Sequence, residues 1–395
     1  MNRNFSPPPK AGGTARTAIK VIAGVIAALI ALLLGLIVLF LIGVETGPVA
    51  FLIGMVCAIL PVPVYLMLVI WIDRYESEPL WMLATAFFWG ALVAVFFAFL
   101  INTFSGLAVT IITNDEIAGE TFGTVISAPI VEEISKAIIL LIFFFMKKDE
   151  FDGVIDGIVY AAMVGLGFAM TENVLYYGKA VVKGGTDTLT LVLLIRGALS
   201  PFAHPMFTSM TGIGLGLARQ SRNLFVKLVV PIVGILAAIS MHTIWNGSGV
   251  LFGDTGFILM YVVIMIPAFF IMFVVIVLGL RREGHLIREY LTPDFHGGLL
   301  TQVEYDQLCS IRGRMGASYN AFSRGGLGHW QARRQLNQTA SELAFHRSRL
   351  ARGISAADAA EREAAYRRAL EDLLKQLRTI NARKTVNKVR PFPSD

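Results

Sequence analysis

Four stretches of this sequence hold no Asp, Glu, Lys or Arg: Val21 to Ile42, Val49 to Ile72, Leu80 to Thr113 and Thr255 to Leu280. A bilayer core of about 30 Å takes ~20 apolar helical residues, so each is long enough to cross once. The third has room for a span plus a short buried or interfacial piece. Only a helix satisfies its own backbone in lipid without a closed sheet, and that restricts the chain to an all-α, polytopic transmembrane helix bundle. Composition agrees: 16% of residues are charged, against about 25% in soluble domains. The first run follows Arg16 and Lys20, as a secretory signal would. It is longer than the ~7 to 15 residues of a signal core and lacks a small-residue cleavage site, so it reads as a retained span.

Eight spans are expected, at about 21–42, 49–72, 80–104, 124–146, 154–177, 188–218, 226–248 and 256–280. Cytoplasmic loops of membrane proteins carry the excess of Lys and Arg. With the N-terminus inside, the inner segments hold Arg3, Lys10, Arg16 and Lys20, then Arg74, Lys147 with Lys148, Arg219, Arg222 and Lys227, and finally Arg281 and Arg282; the outer loops hold only Lys179 and Lys183. Both termini are therefore expected in the cytoplasm, and the outer loop with Asp115, Glu116 and Glu120 has no basic residue. Three regions are expected: a cytoplasmic segment 1–20, a membrane core 21–280 and a basic cytoplasmic tail 281–395.

The tail carries 20 Lys and Arg against 12 Asp and Glu, while the first 280 residues carry a net −2. Without a nucleic-acid motif, this charge suits the anionic face of a bilayer, and no nucleic-acid partner is expected. The Gly-rich stretch Gly313 to Gly328 reads as a separator before two tail helices. The second opens on Ser355 and Asp358 at capping-box spacing and carries Tyr366, Leu370, Leu373, Leu377 and Ile380 as an apolar seam. A helical hairpin packing on itself is the expected arrangement. Cys57 and Cys309 are too few for a disulfide framework and read as packing residues.

The fourth to seventh spans are interrupted by ionisable groups, each costing about 2.5 to 3.5 kcal/mol at the bilayer centre. They are Glu132, Glu133 and Lys136, then Asp156 and Glu172, then Arg196 and His204, and finally His242. Left in lipid they are prohibitive, so they are expected to face one another inside the bundle. Glu132 and Lys136 share a helical face at i,i+4, whereas Glu133 points about 100° away, giving adjacent carboxylates different surroundings. Gly165, Gly167 and Ala169 let a neighbouring helix approach closely before Glu172 and Asn173. Pro201 and Pro205 free backbone groups around His204, and Asn246 follows His242 at i+4. In the expected topology the motifs of the fourth, fifth and seventh spans fall in the outer half of the membrane, where His204 can join them.

In combination and in this order, the segments Asp73–Pro79 (DRYESEP), Glu132–Lys136 (EEISK), Phe168–Asn173 (FAMTEN), the His204 region and His242–Asn246 (HTIWN) resemble the PrsW family of intramembrane proteases, itself similar to the CAAX prenyl-endopeptidase (Abi) superfamily. The resemblance covers about residues 65 to 250. It implies hydrolysis of peptide bonds in or beside the plasma membrane, with single-pass proteins such as anti-sigma factors as substrates. It also implies a zinc, although no HExxH is present. On this reading Glu132 or Glu133 is the general base, Glu172, His204 and His242 hold the water directly or through a metal, and Asn246 with one histidine stabilises the oxyanion. Buried Asp, Glu and His also mark ion pathways, so a proton- or ion-coupled transporter is the rival reading, and an inactive scaffold presenting its tail is the third. A transporter strings such groups through both leaflets, whereas a hydrolase gathers them.

Overall fold

The computed structural model describes residues 14–353 and 358–389. Among the described residues every regular element is a helix, and they divide into two compact units. The first takes residues 14–73 and 78–276. Its elements are α1 (Thr14–Thr46), α2 (Pro48–Ile59), α3 (Val62–Ile72), α4 (Leu80–Phe88), α5 (Val95–Thr113), α6 (Glu116–Phe122), α7 (Ala128–Met146), α8 (Val154–Val192), α9 (Ala203–Gln220), α10 (Leu224–Met260) and the start of α11 (Ile266–His296). By length and apolarity alone, five described stretches are able to cross a membrane: Val21–Thr46, Pro48–Ile72, Leu80–Thr113, Val154–Gln220 and Leu224–His296. The last two are 67 and 73 residues long. They are broken at Gly184 and Gly185 and at Gly253, where the backbone leaves helical geometry. Helical residues fall within each of the eight expected spans, among them the five stretches able to cross.

α8 is the hub of this unit. From Ile155 to Ala169 every residue is buried, as expected of a helix that is apolar all round, and α2, α4 and α9 pack on it. Small residues make the approach possible. A Cβ on Gly165 would stand 2.6 Å from Pro205 N, and one on Gly167 would stand 1.9 Å from Phe87 O. The expected close packing at these two glycines is present, toward α9 and α4 respectively. α1 does the opposite and exposes Leu29, Leu33 and Phe40, the surface a lipid solvent requires.

Four helical turns are widened to π geometry: Trp89–Ala94, Gly123–Ser127, Leu193–Leu199 and Tyr261–Met265. Three of them end two residues before a proline, at Pro129, Pro201 and Pro267. A proline ring clashes with the carbonyl four residues back and offers no N–H; a widened turn moves that carbonyl away. Two of these three turns flank the functional residues of α7 and α9.

The second unit takes residues 74–77 and the chain from Val277, with α12 (Gln302–Leu308), α13 (Ile311–Ala351) and α14 (Ala359–Val389). The Gly313–Gly328 stretch is not a separator. It is helical within α13, interrupted only at Gly326, whose φ of +70° favours glycine. α12, which the hydropathy pattern does not announce, is closed by a capping box between Thr301 and Glu304. α13 and α14 pack as the expected hairpin. Its buried stripe is Tyr366, Leu370, Leu374 and Leu377, so Leu374 takes the place expected for Leu373. Ser355, the side chain of Ile380 and residues 1–13 of the expected N-terminal segment lie outside the described residues.

Candidate active site

α7 presents three charged side chains in five residues, and all are buried: Glu132, Glu133 and Lys136. Lys136 gathers them, with its Nζ donating to Glu132 Oε2 at 3.3 Å and to Glu133 Oε1 at 2.9 Å. The same ammonium lies 3.1 Å from His204 Nδ1 on α9 and 3.9 Å over the Phe168 ring of α8. The expected i,i+4 pair is thus one arm of a wider network.

The neighbouring carboxylates differ sharply. Both Glu133 oxygens are engaged: Oε1 also meets His242 Nδ1 at 3.0 Å, and Oε2 accepts from Thr208 Oγ at 2.9 Å. Glu132 Oε2 meets only Lys136 and, at 3.8 Å, His242 Nε2. Among the described residues nothing hydrogen-bonds to Glu132 Oε1.

Each histidine is held by one carboxylate. A carboxylate accepts and does not donate, so His242 carries its proton on Nδ1, against Glu133, and keeps a lone pair on Nε2. His204 accepts from Lys136 at Nδ1, so its proton sits on Nε2, which meets Glu172 Oε2 at 3.0 Å. Glu172 is held in turn by Arg196 NH2, while Arg196 Nε donates to Asn173 Oδ1 at 2.6 Å. The two rings meet edge-on with centroids 5.1 Å apart, and Phe207 stacks on His242 at 5.2 Å.

Glu132, Glu172 and Asn246 line the inner part of a cleft of about 530 Å³ walled by α1, α5 and α8. Asn246 Nδ2 donates one hydrogen to Thr124 O at 2.9 Å, leaving its second free. The tight seat of His204 follows from Gly165, which brings the α9 backbone onto α8.

The donor set suits a metal. One atom from each of Glu132, His204 and His242 lies within 4.8 Å of the others, and two imidazoles with a carboxylate are the ligands of catalytic zinc sites. His242 Nδ1 meets Glu133 and His204 Nε2 meets Glu172, the carboxylate support usual for metal-bound histidines; the nitrogens left for a metal are His242 Nε2 and, once it gives up its contact with Lys136, His204 Nδ1. Glu132 stands in this trio where Glu172 was expected; Glu172 sits one imidazole further out.

Of the ionisable groups expected to meet, Glu132, Glu133, Lys136, Glu172, Arg196, His204 and His242 do. Asp156 does not. Its Oδ2 accepts from the backbone N–H of Asp152 and Gly153 at the start of α8, sixteen residues or about 24 Å of helix from Glu172. Thr208 is the site residue that sequence reasoning misses. A threonine four residues after His204, on the same helical face, was the available signal.

The chain is similar to known proteins over the region that holds this site. A family profile described as PrsW family intramembrane metalloprotease matches residues 78–272. The Protease PrsW of Geobacillus kaustophilus is 34% identical over 147 residues, which cover 37% of this chain and 58% of that protein. That of Bacillus subtilis is 32% identical over 166 residues, 40% of this chain and 68% of that protein. That of Oceanobacillus iheyensis is 26% identical over 213 residues, 53% of this chain and 86% of that protein. No solved structure matches.

Proposed function

From the premise that this chain belongs to the PrsW family of intramembrane metalloproteases, we propose that it hydrolyses peptide bonds of single-pass membrane proteins at the cleft floored by Glu132, with anti-sigma factors as the substrate class. The observation that carries this reading is that Glu132, which lines the cleft, stands with His204 and His242 so that one atom of each lies within 4.8 Å of the others, each histidine being held by a further carboxylate. We propose the plasma membrane as its location, with both termini cytoplasmic, on the distribution of Lys and Arg among the loops.

Glu132 takes a proton from a water in the cleft as the water oxygen attacks the substrate carbonyl, and passes it to the departing amide nitrogen. The free hydrogen of Asn246 faces the oxygen that becomes negative. Glu133 already accepts from three donors, and its work is to fix His242 and Lys136. Glu172, braced by Arg196, does the same for His204. Glu132, His204 and His242 would hold a zinc through one oxygen or nitrogen each, which leaves the other Glu132 oxygen for the proton; the metal would supply a bound water with a pKa near ~7. A transporter needs ionisable groups along a whole path, and the clustering at one cleft favours hydrolysis.

The test is the purified full chain in phosphatidylcholine nanodiscs with a single-pass substrate. Glu132→Gln is expected to abolish cleavage while preserving the thermal unfolding profile. Undiminished cleavage by this variant removes Glu132 from the mechanism.

A further inference from the structure

The cleft is lined by surface charges as well as by the buried Glu132. Glu116 and Glu120 of α6 and Lys179 of α8 are among them, and the exposure of the two glutamates against the burial of Glu132 marks theirs as the outer end, the mouth. Lys179 is already answered by Glu45, Nζ to Oε1 at 2.8 Å. Glu116 and Glu120 are exposed, and among the described residues neither forms an ion pair. The mouth therefore carries two uncompensated negative charges in a chain whose overall charge is +6.

The spacing is set by the fold. α6, its widened turn and α7 run on from one another, and Glu120 precedes Glu132 by twelve residues, about 18 Å of helix axis. An extended peptide advances about 3.3 Å per residue, so it covers that distance in five or six residues. The remaining lining mixes apolar side chains such as Val38, Ile42, Phe99 and Leu175 with polar ones such as Asn102, Thr103 and Thr124. This mixture suits an unwound stretch of a membrane segment whose charges must lie beyond it.

We propose that Glu116 and Glu120 are specificity determinants: the cleft binds an extended segment of a membrane protein that carries Lys or Arg roughly five residues from the scissile bond, on the side toward the α5–α6 turn. This rests on the protease reading only for the meaning of the scissile bond; the binding preference stands by itself. Charge complementarity selects the occupant, because an acidic flank meets like charge at the mouth and a neutral one gains nothing there.

Three fluorescent single-pass peptides, identical except for Lys-Lys, Ser-Ser or Asp-Asp at that position, distinguish the outcomes. They are presented to the full chain in zwitterionic phosphatidylcholine nanodiscs, with binding and cleavage read separately. Lys-Lys is expected to bind at least about fivefold more tightly than Asp-Asp, the order of magnitude for exposed ion pairs. That margin is expected to shrink as NaCl is raised. The E116K/E120K variant is expected to invert the order, with circular dichroism verifying its fold; the salt series on the unaltered chain needs no variant. Equal binding of the three peptides, or an order that survives charge reversal or high salt, overturns the proposal. Intact binding order without cleavage of any peptide supports it and overturns the hydrolase reading instead.

Discussion

With both Glu133 oxygens engaged by Lys136, His242 and Thr208, and Glu132 Oε1 unengaged at the cleft, neighbouring substitutions have different consequences. Glu132→Gln removes the proton acceptor and one of the three metal donors, and is expected to lower kcat by about 10² to 10⁴ and to weaken zinc binding as well. Glu133→Gln leaves the acceptor in place but loosens His242. A cost of about 10- to 100-fold is expected in both zinc affinity, measured by competition with a chelating dye, and cleavage. A Glu133→Gln protein that keeps its zinc affinity rules out this supporting role. Most of these residues were legible in the sequence because charge inside an apolar run is conspicuous. The division of labour within the pair was not, since it depends on which helix supplies the donors. Thr208 was missed for a related reason: its spacing from His204 was the one signal, and a hydroxyl in a helix carries no insertion penalty large enough to stand out.

At the scale of elements, the precision of the site comes from backbone contact. Gly165 lets the Ala203–Gln220 helix touch the central helix beside His204. Gly165→Ala would press a methyl against Pro205 N at 2.6 Å, where the obstruction is backbone and has no flexible end to swing aside. Such overpacking costs about 1 to 3 kcal/mol, and a displaced His204 is expected to lower cleavage at least about tenfold. Gly24, with nothing within 4 Å of an added Cβ, is the control: Gly24→Ala is expected to leave melting temperature and cleavage nearly unchanged. Equal effects of the two alanines would show that the close approach is dispensable. The small residues around Gly165 announced a helix crossing in the sequence, but not its partner. The widened turns were not foreseen either, although their regular placement two residues before Pro129, Pro201 and Pro267 shows that a proline inside an apolar run marks one. Gly313–Gly328 misled in the opposite sense, because a glycine in a helix is a modest penalty of about 1 kcal/mol that packing overrides.

Across the whole membrane unit, buried charge is handled in two ways. At the cleft, Lys136 and Arg196 balance the glutamates. At the other end of the central helix, Asp73, Glu78 and Asp156 are buried together. Glu78 N–H donates to Asp73 Oδ2 at 2.8 Å, and Tyr160 donates to Glu78 Oε2. Between the two groups, Ala161 to Ala169 is apolar and buried, so no row of ionisable side chains joins them along this helix, as a proton path would need. Burial, reinforced by Asp156 and Asp73, pushes the Glu78 carboxyl well above its usual range, and burial does the same to Asp73 against the opposing Glu78 N–H. A carboxyl whose pKa is higher folded than unfolded binds more protons in the native state. Its stabilising contribution is therefore complete below the unfolded value of about 4.3 and is lost as pH rises through the folded value. Glu78→Gln keeps an oxygen for Tyr160 and removes the charge. The melting temperature of this variant is expected to match the original protein at acid pH and to exceed it at neutral pH, with the gap opening as pH climbs above the ordinary carboxylate range. A constant gap at every pH would mean that Glu78 does not change protonation on unfolding and that its burial is offset by another group.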